Sequence, residues 1–376
     1  MTTADAPRPG GAPGSSRFGH LAGVTAAALA AAIASACAHP ELQEVPTAPA
    51  SAHLAATAVI MDDGYRLPLR RWGDADYARA LLLAVHGFND YAKAFEQLGS
   101  SLAAEGLLVY AYDQRGFGAT AQRGRWAGTE RLVLDLEKVV ALLRRRHPQR
   151  PLYLLGESMG GAVALAALER GLEPAGTILV APAVWSRDSM NPLLRLLLWG
   201  AAHTFPALEL TGEGIDIRPS DNLPMLRQLA VDPLVIKGTR VDALWGVTNL
   251  MDHAKGSARG LHGPVLLLYG EHDDIIPANA FCRLLRDLPD PSPELRIVLY
   301  GRGWHMLTRD LQGDRVIRDI AAWLTEPAAR LPSGEETRPG DGRLAEICRL
   351  TPDADGGRSG RKPPRSPKPA RDREPS

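Results

Sequence analysis

Residues 156–160 read Gly156-Glu157-Ser158-Met159-Gly160, a G-x-S-x-G frame around a serine hydroxyl. The apolar run Pro151-Leu152-Tyr153-Leu154-Leu155 precedes it, and a small-residue helical run from Gly161 to Leu168 follows. Strand, tight turn and helix form the setting of a nucleophile elbow, which lifts a serine to the top of a sheet in a strained backbone conformation. Flanking glycines suit it because a Cβ would clash where strand and helix come close. A serine hydroxyl is a weak nucleophile by itself. It needs a base to take its proton and an acid to orient that base.

Both partners follow in the order Ser, acid, His, each on a loop after an apolar strand. Pro264 to Tyr269 reads as a buried strand and runs into Gly270-Glu271-His272-Asp273-Asp274. Leu295 to Tyr300 reads as another and runs into Gly301-Arg302-Gly303-Trp304-His305. Asp273 is the candidate acid and His305 the candidate base, with Glu271 and Asp274 as alternative acids. His272 is a rival base, but its place beside the acid in sequence makes triad geometry awkward, so it reads as a loop histidine. An acyl-transfer site also needs two backbone N–H groups aimed at the developing oxyanion. Met159, after the nucleophile, offers one. Phe88 offers the other, on the His86-Gly87-Phe88-Asn89-Asp90 loop after the strand Leu81–Val85.

These segments, with Asp113-Gln114-Arg115-Gly116-Phe117-Gly118, together resemble the α/β-hydrolases of the monoacylglycerol lipase and lysophospholipase type, often labelled "serine aminopeptidase" domains. The resemblance covers residues from about 55 to 328. It implies an α/β-hydrolase fold, a Ser158–His305–Asp273 triad and an oxyanion hole from Phe88 and Met159. The Asp113–Gly118 run is similar to a family segment that shapes a loop beside the site, and no catalytic role follows for it.

The 376 residues carry 45% hydrophobic and 23% charged side chains with zero formal net charge. That is ordinary globular composition, and it supplies no basic field for nucleic acid. One large domain with two poorly structured ends fits the length. Cys37, Cys282 and Cys348 lie far apart and fit neither a disulfide framework nor a metal site. No H-e-x-x-H spacing occurs, so the expected chemistry uses no metal or cofactor.

The N-terminus reads as an export signal over residues 1–36. Arg8 and Arg17 precede the alanine-rich apolar stretch Leu21–Ala36, which exits through Ala34-Ser35-Ala36-Cys37. The exit serves either as an A-x-A cleavage site or as a bacterial lipobox, in which Cys37 is lipidated and starts the mature chain. The usual leucine three positions before that cysteine is Ala34 here. Residues 37–56 then read as a Pro/Ala/Ser-rich tether, 57–328 as the hydrolase domain and 329–376 as a disordered tail. Residues 358–376 hold five prolines, seven Arg or Lys and two acids, a solvated composition with some attraction to anionic lipid.

Other elements that position the site are also legible. Residues 58–69 read as a hairpin around Asp62-Asp63-Gly64, Leu107–Tyr112 as a strand buried on both faces, and Leu132 to Leu143 as an amphipathic helix. Alternating strands and helices imply a parallel sheet covered on both sides. Residues 183 to about 255 interrupt the alternation and read as a cap. Within it Pro192–Ala201 is apolar almost all round, which fits either a buried helix or a lid that meets lipid.

The leading functional expectation is a serine carboxylester hydrolase acting on a monoacyl lipid at a membrane surface. A peptidase or acyltransferase on the same triad is the alternative. An aminopeptidase would need cap acids such as Glu209, Glu213, Asp216 or Asp221 to hold the substrate amine. A non-catalytic lipid-binding protein on a hydrolase scaffold is the reading from another class.

Overall fold

The computed structural model describes residues 38–44, 50–212, 214, 217–288 and 294–350. In chain order its strands are β1 (His53–Leu54), β2 (Ala58–Ile60), β3 (Arg66–Trp72), β4 (Ala80–Val85), β5 (Leu107–Tyr112), β6 (Leu152–Glu157), β7 (Gly176–Val180), β8 (Glu209–Thr211), β9 (Gly238–Arg240), β10 (Val265–Gly270), β11 (Leu295–Tyr300) and β12 (Glu336–Thr337). Ten of these form one sheet in the order β1-β2-β3-β5-β4-β6-β7-β10-β11-β12, and β8 pairs with β9 apart from it. From β5 across to β11 every neighbour is parallel, whereas β1, β2, β3 and β12 are antiparallel edges.

Its helices are α1 (Glu96–Ala104), α2 (Thr129–Arg146), α3 (Met159–Glu169), α4 (Pro192–Thr204), α5 (Leu223–Val231), α6 (Val241–Ser257), α7 (Ala278–Asp287), α8 (Gly313–Thr325) and α9 (Gly342–Leu350). Strand alternation sends Leu81, Leu83 and Val85 into the core under α2, α3 and α6. It sends Ala80, Leu82 and Ala84 into a second core with residues of α1 and α8. The continuous apolar runs of β4, β5 and β10 are explained by this two-sided burial. This is the α/β-hydrolase fold expected from the sequence, a mostly parallel sheet with helices on both faces and a helical cap.

The chain's ends depart from expectation. The proposed tether is pinned to the body where it is described. Gln43 is buried and donates through Nε2 to Arg125 O at 2.9 Å, and β1 pairs with β2. Backbone and amide hydrogen bonds hold this segment, a force that leaves no hydrophobic period to read. The region from 329 to 350 is likewise packed rather than disordered: β12 extends the sheet beside β11, and Leu331 and Leu344 are buried. Cys282 on α7 and Cys348 on α9 form a disulfide with Cα atoms 5.5 Å apart, although 66 residues separate them in sequence. The expectation that the cysteines fit no disulfide fails because the C-terminal segment folds back onto the acid-bearing side of the sheet. Residues 1–37 and 351–376, with the export signal, Cys37 and the basic tail, lie outside the described residues.

The insertion also needs redrawing. α4, β8, α5 and β9 leave the layers, but α6 returns to them, with Leu250 and Ala254 buried in the main core. The cap proper therefore ends near residue 240, not 255. The apolar helix α4 is capped by Asn191, whose side chain accepts the Leu193 N–H at 2.8 Å, and Pro192 sits in its first turn. Its leucines are not buried: Leu193, Leu196 and Leu197 are each about 60% exposed. Among the described residues no helix is long and apolar enough to cross a membrane.

Candidate active site

Four loops carry the expected chemistry, and they follow β4, β6, β10 and β11. These strands are parallel, so their C-terminal ends share one edge of the sheet, where ligands of open α/β sheets bind. Ser158 stands between β6 and α3 with φ 52° and ψ −117°. That positive φ in a non-glycine residue is the strain expected of an elbow. The turn is forced by close packing: a Cβ on Gly160 would lie 1.9 Å from Val85 O. The loop after β4 runs alongside, and a Cβ on Gly87 would lie 3.3 Å from the Ser158 Cβ.

The three candidate acids differ in their hydrogen-bond partners. Asp273 Oδ2 accepts from His305 Nδ1 at 2.8 Å. Asp273 Oδ1 accepts from the Ile275 and Ile276 N–H groups at 2.8 and 2.9 Å, which aims the other oxygen at the imidazole. Glu271 instead pairs with Arg343 of α9, and Asp274 accepts from the Arg218 N–H. His272 stacks on Trp304 at 5.3 Å between ring centres. His305 and Asp273 are both buried. Burial pulls the His305 pKa down, but the Asp273 charge and hydrogen bond, helped by Glu157, outweigh it and raise the net value above 6.5. An Asp-held imidazole with its Nδ1 proton fixed leaves Nε2 as the basic atom.

Three further residues support the loops; His86 and Gln114 stand within motifs read from the sequence but carried no role of their own there, and Arg309 was not singled out. His86 is fully buried; its Nε2 accepts from the Gln114 N–H at 2.9 Å, so Nδ1 carries the proton and donates to Gly87 O at 2.8 Å. Burial also lowers its pKa, which keeps it neutral in this role. A peptide's C=O and N–H point in opposite directions. Fixing Gly87 O therefore fixes the direction of the Phe88 N–H. The Asp113–Gly118 loop supplies Gln114 for this, consistent with a supporting role.

The third is Arg309, four residues beyond His305. Its guanidinium donates to Asp90 Oδ2 at 2.7 Å and to Glu157 Oε1 at 2.8 Å. One buried cation thus joins the loop after β4, the elbow and the histidine loop. Burial lowers its pKa, yet the two carboxylates more than offset that and hold it charged. Arg309→Leu should strand two buried carboxylates and cost about 3 kcal/mol or more of stability. Thermal unfolding checks this; a midpoint within about 1 °C of the parent's would contradict it.

Among the described residues no three His, Cys, Asp or Glu side chains converge as a metal site. Of the cap acids, Asp221 is engaged by the Leu311 N–H at 2.8 Å, and Glu213 and Asp216 lie outside the described residues.

A strained serine and a buried His–Asp pair, carried on loops at the same edge of a parallel sheet, are the features of a hydrolase of the α/β class. The family model described as "Serine aminopeptidase, S33" matches residues 76–312, and the chain belongs to that family. The chain is 27% identical over 270 residues to a monoacylglycerol lipase of Mycolicibacterium smegmatis, covering 69% of this chain and 93% of that one. It is 27% identical over 278 residues to a monoglyceride lipase of Homo sapiens, covering 71% and 89%. A soluble variant of the Saccharomyces cerevisiae monoglyceride lipase, solved in complex with a substrate analog, superposes with a TM-score of 0.62 at 20% identity over 78% of this chain and 99% of that one. The last comparison speaks to the fold.

Proposed function

We propose that this serine ester hydrolase cleaves monoacyl lipids, a monoacylglycerol or a lysophospholipid, through a Ser158–His305–Asp273 triad. His305 Nε2 takes the Ser158 proton as Oγ attacks the acyl carbonyl. The Phe88 and Met159 N–H groups bind the oxyanion, and Asp273 stabilises the imidazolium. The protonated imidazole then gives its proton to the leaving alcohol, and water releases the fatty acid by the same base.

The observation that carries the lipid substrate is the exposed apolar face of α4. A helix with Leu193, Leu196, Leu197 and Trp199 open to solvent is costly unless an apolar partner covers it. An acyl chain gains about 0.8 kcal/mol per buried CH₂. The relatives named monoacylglycerol lipase and monoglyceride lipase support the same substrate. Replacing Leu197 and Trp199 with serine should raise KM for a long-chain monoacylglycerol on the order of tenfold. Hydrolysis of an acetyl ester should barely change. Equal loss on both would make α4 structural, and no loss on either would place the acyl chain elsewhere. A peptidase would instead prefer aminoacyl amides to acyl esters in the same assay.

Export is part of the same reading, with anchoring at a membrane through lipidated Cys37. The Cys282–Cys348 disulfide supports an oxidising compartment. Cys37→Ala should move the enzyme to the soluble fraction with its catalytic constants intact. A mature mass starting at Cys37 without lipid would mean simple secretion.

A further inference from the structure

The cap sends one short segment, residues 218–222, down against the loops of the proposed base and acid. Ser220 is fully buried, and its hydroxyl donates to Asp310 Oδ1 at 2.6 Å. The other oxygen of Asp310 accepts the Trp304 N–H at 2.7 Å, on the residue just before His305. On the other side of the base, the Met306 N–H donates to Pro219 O at 3.0 Å. The backbone on both sides of His305 is therefore fixed by cap residues, once directly and once through Asp310.

The clamp continues along the loop. Asn222 Nδ2 donates to Arg309 O at 2.8 Å, and Asp221 Oδ1 accepts the Leu311 N–H at 2.8 Å. At its other end, the Arg218 N–H reaches Asp274 Oδ2 at 3.2 Å, one residue past the acid. Nothing in the sequence distance between 220 and 305 requires this. A cap that served only as a wall for substrate would have no need to hydrogen-bond around the base.

We propose that residues 218–222 are a positioning strap through which the cap holds the His305–Asp273 pair in register, with Ser220 and Asp310 its central link. A catalytic base displaced by a fraction of an ångström loses rate steeply, so the strap should act on turnover rather than on substrate affinity. The cap would then contribute to chemistry as well as to selectivity. The inference rests on the triad reading above.

The test uses the full chain and an acetyl ester too short to need the cap's apolar face. Ser220→Ala should lower kcat about tenfold with KM within about twofold. Asp310→Ala should lower it at least as much, and the double variant should be no worse than Asp310→Ala, since the two act as one link. The low-field proton resonance of the His305–Asp273 hydrogen bond should shift or broaden in Ser220→Ala. Should Ser220→Ala not fold, Asp221→Ala on the half-exposed end of the strap should lower kcat about threefold by the same route. An unchanged kcat with an unchanged resonance would overturn the strap, as would a rise in KM alone. Ser158→Ala separates this from the triad reading: if it abolishes turnover while the strap variants keep the parent's kcat, the triad stands and only the strap falls.

Discussion

Ser158→Ala is expected to lower ester turnover on the order of a hundred-thousandfold while leaving the fold intact. The elbow's strain and packing come from the backbone and from Gly160, not from the hydroxyl. The alanine chain should therefore unfold at nearly the parent temperature. What remains should reflect the oxyanion groups and substrate binding, which still exceed water. Steady-state assay with a chromogenic acyl ester measures the loss. Retention of more than about a tenth of the activity would remove Ser158 from the nucleophile's role.

His305→Ala is expected to be about as damaging, because base and nucleophile act as a unit. Asp273→Asn should cost roughly ten-thousandfold, since the amide cannot hold the same tautomer. Equivalent changes at Glu271 or Asp274 should matter far less, because those carboxylates face Arg343 and the Arg218 backbone. The pH dependence carries the same claim with a definite sign. The base works only when neutral, and burial is outweighed by Asp273 so that its pKa lies above 6.5. The acid limb of kcat/KM should then have its midpoint above 6.5, with activity rising as pH rises through it. Removing the Asp273 charge leaves burial dominant, so in Asp273→Asn the residual limb should move to lower pH. A flat profile down to about pH 4 in the parent would argue against a histidine base.

The loops of the site were legible because each is a local pattern. A strand, a glycine turn and the group expected to act lie within about ten residues, a backbone N–H at Val85–Phe88 and a side-chain hydroxyl at Leu155–Met159. The choice of Asp273 over its neighbours was not fixed by spacing. It depends on the Ile275 and Ile276 N–H groups that aim one carboxylate oxygen and free the other. Arg309 left no local trace either, as its partners Asp90 and Glu157 are 219 and 152 residues away. The same holds for the C-terminal strand and the disulfide. A two-residue strand carries too little hydrophobic alternation to read, and cysteines 66 residues apart pair only because α9 returns to α7. Composition alone made both chain ends look looser than the described residues are.

The central claim is that Ser158 is activated by a histidine held by Asp273. Labelling the full chain with a fluorophosphonate, followed by peptide mass analysis, tests it most directly, because only an activated serine reacts. The account predicts one adduct, on the peptide bearing Ser158, formed rapidly in the parent and lost in His305→Ala. Absence of an adduct, an adduct on another residue, or undiminished labelling of Ser158 in His305→Ala would contradict it.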